Sequence, residues 1–592
     1  MQTAEVVLGI LRERGRRGLP CDELYRQLFN PQMYLLAYGR IYSNHGAMTP
    51  GATQETADGM SMEKIETIID AMRHERYRFS PAQRTYIPKK NGKLRPLGLP
   101  TWSDKLVGEV MRLLLEAYYE PTFSDQSHGF RPGRGCHTAL REVADHWTGT
   151  TWFIEGDISD CFGSLDHTVM ITILAEKIHD NRFLRLMRNM LEAGYLEDWH
   201  WNATLSGCPQ GGVISPVLSN IYLHKLDEYV ETVLIPQYTQ GERRKRNPAY
   251  FRAKNGAAYA RRCGDRVKAR DLRRQLRSLP AGDPQDPGFR RLHYSRYADD
   301  HLLGFTGPRA EAEAIKEQLA RFLRDELALE LNADKTLITH ARTRAARYLG
   351  YEIIVQHGDS KITAGLRSAN GKIALRVPLD VIKAKRTPYL RHGKPWHRSA
   401  MQNLDDYDIV KAYGAEYRGV VQYYLLANDV WRFKPLCWDA QTSMLKTLAA
   451  KHQSTVVKMA AKYRAKVSTP HGLRTCFEAR VERNGKQPLV ARFGGVPLKR
   501  NKHTVLTDQV PKRVPYPRKE LTIRLLRSRC EMCEQPGKVL VHQVRKLANL
   551  GSPDTGQPDW AALMARKRRK TLVVCHPCHE SIHNGYHAAN TA

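Results

Sequence analysis

The sequence predicts an α+β chain of several domains, and three observations carry that expectation. The segment "HYSRYADDHLLGF", His293 to Phe305, places apolar residues on both sides of Asp299-Asp300, the pattern of strand, tight turn and strand. The first eighty residues, and a block from about 405 to 463, carry helical patterning instead. Two C-x-x-C pairs, Cys530/Cys533 and Cys575/Cys578, have the spacing of a small zinc-stapled fold. At 592 residues the chain can build several separate cores.

Composition narrows the partners. Lys and Arg number 93 against 61 Asp and Glu, a formal charge of +32, which points to a polyanion such as RNA or DNA. No run reaches the ~18 consecutive apolar residues of a membrane span. The start, "MQTAEVVLGILRERGRRG", contains Glu5 and Glu13 and reads as a first helix rather than a signal peptide. Eleven cysteines, an odd number, argue against a disulfide framework, and the seven outside the C-x-x-C pairs are expected as buried, inert thiols.

Along the chain, Ser61 can cap the helix "MEKIETIIDAMRHE". "RTYIPKKNGKLRPLGLPT" reads as two short strands about an Asn91-Gly92 turn. Lys93 and Arg95 are two apart on one of those strands, share a face and can both grip a triphosphate. In "TWFIEGDISDCFGSLDH", Trp152 to Ile154 form a strand that ends at Asp157. A lone Asp-Asp pair is an ordinary acidic turn. Joined by a strand-end Asp157, it becomes a way to gather carboxylates around two Mg²⁺ ions. "LSGCPQGGVISPVLSNIYLHKLD" is a glycine-rich turn followed by a helix, where backbone can approach a nucleotide closely. Residues 241–291 carry 16 basic and 5 acidic side chains with interleaved aromatics, either a solvated insertion or an RNA-contacting one.

These landmarks resemble the palm motifs of reverse transcriptases, in order: Asp157 with Phe162, Cys208-Pro209-Gln210-Gly211 with Ser215-Pro216, Tyr297-Ala298-Asp299-Asp300, "LNADKT" with Lys335, and "YLGY" at 348–351. "IPKKNGKLRPLGLPT", "HGFRPGRGCHTAL" and "PQGGVISPVLSNIYLHKLD" are similar in wording to the group II intron-encoded reverse transcriptase and maturase family, over about Tyr25 to Gly585. The resemblance implies that Asp157, Asp299 and Asp300 hold catalytic Mg²⁺. It implies that Lys93 and Arg95 bind the dNTP triphosphate, that Gln210 lines the nucleotide pocket, and that the Phe162 ring excludes a ribose 2′-hydroxyl. Lys335 is then either a proton donor near the triphosphate or a solvated surface lysine. Tyr423 and Tyr424, in the helical block, read as packing residues.

In the tail, His579 and His583 are four apart and share one helix face, and His542 lies in "VHQVRKL". With "CHPCHESIH" this is similar to the HNH endonuclease domain that ends many such proteins, with Zn²⁺ on Cys530, Cys533, Cys575 and Cys578 and Mg²⁺ at the histidines. That family usually has two adjacent histidines in its first motif, a metal ligand and a general base. Here Gln543 holds the second place, and an amide cannot take a proton. Either His542 is itself the base, another group substitutes, or the domain binds DNA without cutting it.

The expected architecture is a right-hand polymerase with a small zinc-bearing ββα-metal domain. Its parts are an N-terminal helical extension of the fingers (1–80), fingers and palm (81–360, insertion 241–291), a helical thumb or maturase domain (361–463), a basic DNA-binding segment (464–520) and an HNH-like domain (521–592). The expected partners are intron RNA, target DNA and dNTPs, in a bacterial cytoplasm and without a membrane. The expected function is splicing assistance and target-primed reverse transcription, with removal of the tail sparing synthesis. The rivals are an RNA-binding splicing cofactor, a polymerase with an inactive endonuclease, and a retron-type or CRISPR-associated reverse transcriptase.

Overall fold

Helix α1 (Ala4–Arg16) begins on Thr3, whose hydroxyl accepts from the Val6 N–H at 3.4 Å, and turns Val7, Leu8 and Leu11 inward. The computed structural model describes the chain except residues 1, 45, 89–91, 93, 199, 205, 208–211, 359–360, 364–365, 368, 484–485, 507–519, 551–557 and 590–592. Helix α2 (Pro31–Ile41) starts on an Asn30 cap with proline in its first turn. After a two-residue strand, β1 (Met60–Ser61), the Ser61 hydroxyl accepts from Lys64 N at 3.1 Å and opens α3 (Met62–Arg73), as its place before "MEKIET" predicts.

Strands β2 (Ala82–Pro88) and β3 (Leu94–Leu99) form the expected hairpin, with Pro88 opposite Leu94. Gly92 sits in its turn at φ +79°, a conformation that suits glycine. Helix α4 (Trp102–Tyr119) follows, with Leu106, Val110, Leu113 and Leu114 buried in one core with the inward residues of α1, α2 and α3. Strand β4 (Trp152–Gly156) enters the palm, while β5 (Tyr195–Glu197) and β6 (His200–Asn202) return to the hairpin and complete a sheet of order β3-β2-β5-β6.

Helix α5 (Ser215–Tyr229) carries the apolar run after the glycine-rich turn. The basic stretch then folds into a helical hairpin, α6 (Pro248–Arg262) and α7 (Arg266–Ser278). Its buried residues are Ala253, Ala257, Ala260 and Ala269, so small side chains let the helices meet and the basic ones stay outside. Cys263, at the end of α6, is exposed, against the expectation of a buried thiol; Cys21, Cys161 and Cys476 are buried as expected.

The palm sheet runs β7-β8-β4-β9, with β7 (Arg291–Tyr297), β8 (Asp300–Thr306) and β9 (Ile338–His340) all antiparallel to their neighbours. Strands β10 (Ala346–Tyr348) and β11 (Tyr351–Val355) turn at Leu349-Gly350, both at positive φ. The Tyr423 hydroxyl donates to Leu349 O at 2.8 Å and that of Tyr424 to Gly350 O at 3.0 Å. These two tyrosines therefore fasten the helical block onto the palm, in keeping with their reading as packing residues.

That block comprises α8 (Asp406–Tyr423), α9 (Lys434–Lys451) and α10 (Val456–Tyr463). The segment expected as a separate basic stretch from 464 begins instead with an antiparallel sheet, β12 (Arg464–Thr469), β13 (Gly472–Arg483) and β14 (Lys486–Gly494). Phe477, Ala479, Ala491 and Phe493 bury in the same core as Tyr413 and Tyr417 of α8. Outward Arg464, Lys466, Arg480 and Arg492 interrupt the inward positions along these strands, which makes the stretch look merely basic in sequence.

The C-terminal strands β15 (Val539–Gln543) and β16 (Thr571–Cys575) lead into helix α11 (His576–Ala589). They make a sheet with β1, in order β1-β15-β16, with Met60 opposite Val541 and Ser61 opposite Leu540. Leu521, Leu525, Val539, Val541 and Val573 join the core of the N-terminal helices. Each such side chain contributes about 1.5–3 kcal/mol when buried. A chain ending at residue 519 is therefore expected to keep primer extension but to melt several degrees lower and be cut by protease within 31–73 first. Proteolysis followed by mass spectrometry checks this, and wild-type resistance there would mean that the tail does not stabilise the N-terminal region. Among the described residues no helix is long and apolar enough to cross a membrane.

Candidate polymerase and metal centres

Three carboxylates meet at the open end of the palm sheet. Strand β4 ends at Gly156, which pairs with His301 of β8, so Asp157 and Asp300 leave neighbouring antiparallel strands side by side. Tyr297 pairs with Asp300, and Ala298-Asp299 form the two-residue turn between them, Ala298 at φ +55°. A Cβ at Gly156 would overlap His301 Nε2, and one at Gly129 would come 2.5 Å from Ala298 N. Both glycines therefore let neighbouring chain lie directly against the carboxylates' backbone.

Charge crowding follows from that geometry. Burial, then the charges of Asp299 and Asp157, push the Asp300 carboxyl up to about 7. Asp299 is also raised, first by burial and then by Asp157, with Lys335 and Arg95 working the other way. Like charges held together gain most from a divalent cation, and the all-oxygen donor set suits Mg²⁺.

Lys335 is exposed, yet its ammonium donates to Asp157 Oδ2 at 2.7 Å. The "LNADKT" loop is stitched to the end of β4 by Asn332 N to Asp157 O at 2.8 Å and by Ser159 N to Glu330 O at 2.9 Å. Phe162 lies in the short helical turn Cys161–Ser164, its ring 6.3 Å from that of Phe130, which is 6.3 Å from Tyr297. Arg95 is exposed on β3 and close enough to act on the Asp299 charge. Lys93 and Gln210 lie outside the described residues.

Beneath the turn is an ion pair that sequence reading missed. Arg296 and Asp227 are fully buried and 2.6 Å apart. Arg296 also donates to Ala298 O and to Ser127 Oγ, both at 2.9 Å, and Tyr294 donates to Asp227 Oδ1 at 2.8 Å. The available signal was Arg296 lying two residues from the apolar-patterned Tyr294 on one strand face, where a buried cation needs an anion.

The tail gathers two clusters. Cys530, Cys533, Cys575 and Cys578 place their sulfurs within 4.8 Å of one another. Burial raises the Cys530 thiol, but backbone N–H groups outweigh it and hold the group at about 7. Met532 N and Cys533 N lie 3.4 and 3.5 Å from its sulfur. The second cluster unites His542, His579 and His583, as expected, and adds Asp58 from the loop before β1. Asp58 Oδ2 lies 2.9 Å from His583 Nε2 and 3.2 Å from His579 Nε2, and Oδ1 lies 3.3 Å from His542 Nδ1. Burial works against the Asp58 charge, yet the His542 and His579 rings and the Gln543 N–H hold its carboxyl well below the usual range. Gln543 donates through its backbone N–H to Asp58 Oδ1 at 2.7 Å and through its amide to Tyr42 O at 2.8 Å.

Three known families align with these parts of the chain. Reverse transcriptase (RNA-dependent DNA polymerase) matches residues 87–353, type II intron maturase 370–497, and the AI2M/AI1M-like HNH endonuclease 530–579. The group II intron-encoded protein LtrA of Lactococcus lactis subsp. cremoris is 36% identical over 593 residues, covering 94% of this chain and 95% of its own. The chain belongs to the group II intron-encoded reverse transcriptase and maturase family. A 91 kDa protein in the cob intron of Schizosaccharomyces pombe is 34% identical over 95% of this chain and 69% of its own, and protein YkfC of Escherichia coli is 33% identical over 57% and 84%.

As a group II intron-encoded protein with a C-terminal HNH-type endonuclease domain, the chain is a multifunctional RNA-directed DNA polymerase and maturase, and intron RNA is its partner. The maturase match ends at 497, three residues beyond β14, so it takes in the sheet that packs on α8.

Proposed function

We propose that this intron-encoded protein copies its intron RNA into DNA with Asp157, Asp299 and Asp300 holding two Mg²⁺ ions. Such ions, when bound, activate a primer 3′-hydroxyl and stabilise the pyrophosphate leaving group. The observation that carries the reading is the exit of Asp157 and Asp300 from paired strands with Asp299 in the turn between β7 and β8. Arg95 reaches the triphosphate from the fingers, with Lys93 beside it in sequence. Lys335, tethered to Asp157, donates the proton that the leaving pyrophosphate takes up. Phe162 stands at the sugar, backed by Phe130, and Gln210 lines the pocket. Fingers and palm span 81–360 with the 1–80 extension, the thumb or maturase unit runs from 361 to the end of β14, and the HNH-type domain occupies 521–592.

In the tail, Zn²⁺ on the four cysteines fits the Cys533–Cys575 sulfur separation of 3.7 Å, close to the edge of a tetrahedron with ~2.3 Å Zn–S bonds. At the histidines, three imidazoles suit a zinc-class ion better than the Mg²⁺ expected from sequence. The protein serves target-primed synthesis at a DNA site, in a bacterial cytoplasm.

The test is primer extension on RNA of the chain's own locus with matched dNTP and rNTP pools. Phe162→Ala is expected to lower the preference for deoxyribonucleotides by on the order of tenfold to a hundredfold, because one ring contact with a hydroxyl is worth that much. An unchanged preference would remove Phe162 from the sugar pocket. A wild-type enzyme that favours ribonucleotides would overturn the polymerase assignment itself.

A further inference from the structure

The HNH-type centre contains one residue that its own domain does not supply. His579 and His583 stand one turn apart on α11 with their Nε2 atoms 3.3 Å apart. In a tetrahedron with ~2.0–2.1 Å metal–nitrogen bonds, ligand atoms lie about 3.3–3.4 Å from each other. The two histidines therefore already stand at ligand spacing. Asp58 Oδ2 is 2.9 and 3.2 Å from the same two nitrogens. Opposite them, His542 is only 5% exposed; its Nδ1 lies 3.3 Å from Asp58 Oδ1 without hydrogen-bond alignment, and its Nε2 has no hydrogen-bond partner among the described residues. A buried imidazole left in that state has a lone pair available to a metal.

An orienting carboxylate would sit behind a histidine, on the ring nitrogen that does not face the metal. Asp58 does the opposite, because it occupies the side where the Nε2 atoms of His579 and His583 converge. Its position is also built firmly. Strand β1 pairs with β15 two residues later, Gly59 N donates to Val541 O at 2.9 Å, and the Gln543 N–H fixes Oδ1.

We propose that Asp58, from the N-terminal extension of the polymerase, is the fourth ligand of a zinc-class ion held by His542, His579 and His583. The inference rests on reading the histidines as a metal centre. Four protein ligands make a closed shell, whereas catalytic zinc keeps a position open for water. The centre in this conformation is therefore shut by the polymerase, and Gln543 offers no base beside it. Target cleavage requires the Asp58 loop to leave, which couples the endonuclease to the position of the fingers extension.

The test uses the full-length chain loaded with Zn²⁺, and then with Co²⁺, compared with Asp58→Ala and Asp58→Asn. With excess Mg²⁺ present to occupy the palm carboxylates, wild type is expected to hold two Zn²⁺ or Co²⁺ ions per chain, one of which Cys530→Ser removes. Asp58→Ala should lose the other ion at a chelator concentration about 10–100-fold lower, the scale on which a lost metal-site partner acts. The visible Co²⁺ spectrum should change as water enters the shell. Asp58→Asn keeps an acceptor for the Gln543 N–H and controls for undocking: in excess chelator its melting should coincide with wild type, and the two should separate only when metal is present. Loss of the second ion at the wild-type chelator concentration, with an unchanged Co²⁺ spectrum, would overturn Asp58 as a ligand. A wild-type chain holding a single ion, removed by Cys530→Ser, would overturn the histidine centre itself.

Discussion

Asp299→Ala is expected to lower DNA synthesis by at least about three orders of magnitude while leaving splicing of the intron RNA within about twofold of wild type. The first half follows from charge. Metal stabilisation of the transition state supplies several kcal/mol, and each 1.36 kcal/mol is a factor of ten in rate. Asp299 occupies the turn between β7 and β8, beside Asp300 and close enough to feel the Asp157 charge, so its loss takes one carboxylate out of the cluster proposed to hold the metal ions. The second half follows from location. Asp299 is one short anionic side chain in a strongly basic chain, and removing it deletes no phosphate contact. Paired assays on one preparation, primer extension and splicing of the precursor RNA, check both halves. Equal loss in both would mean that the turn belongs to the RNA-binding surface, and full synthesis without Asp299 would move the catalytic centre elsewhere.

The carboxylate cluster was legible because its parts sit at element ends with simple sequence signatures. Asp157 closes a short apolar strand, and Asp299-Asp300 lie at the turn between two others, so strand patterning alone placed them correctly. Motif order then linked stretches that no periodicity connects. Asp58 was not legible, because it lies 485 residues before Gln543 and reaches the histidines through a two-residue strand that carries no pattern of its own. The β12–β14 sheet was hidden differently. Its outward residues include Arg464, Lys466, Arg480 and Arg492 beside exposed Leu473 and Val490, so no clean apolar alternation showed through the basic charge. Lys335 stood between two readings because a lysine in a polar loop looks the same in sequence whether or not a carboxylate waits nearby. The fold of the Asn332–Thr336 loop onto β4 brings that exposed ammonium to the Asp157 carboxylate.

Asp227→Ala is expected to destabilise the palm by about 3–5 kcal/mol, the range for breaking a buried ion pair by removing one partner. Arg296 would remain fully buried, with only neutral acceptors at Ala298 O, Ser127 Oγ and Asn220 Oδ1. Burial raises the Asp227 carboxyl, but Arg296 outweighs it and brings the group to about 2, below its unfolded value of about 3.9. Its contribution is therefore complete above about pH 4 and is lost as pH falls through 2. A melting curve reports on all the domains together, so the palm needs a local readout. Hydrogen exchange of the β7 and β8 amides at neutral pH reads the palm alone and should show faster opening in the variant. Asp227→Leu combined with Arg296→Met removes both charges, and a buried pair exchanged for apolar residues is often neutral or stabilising, so protection should return. Synthesis should stay low in that double variant, since the Arg296 bond to Ala298 O, directly before Asp299, is gone. Recovery of both protection and synthesis would mean that the ion pair holds the fold without holding the catalytic turn.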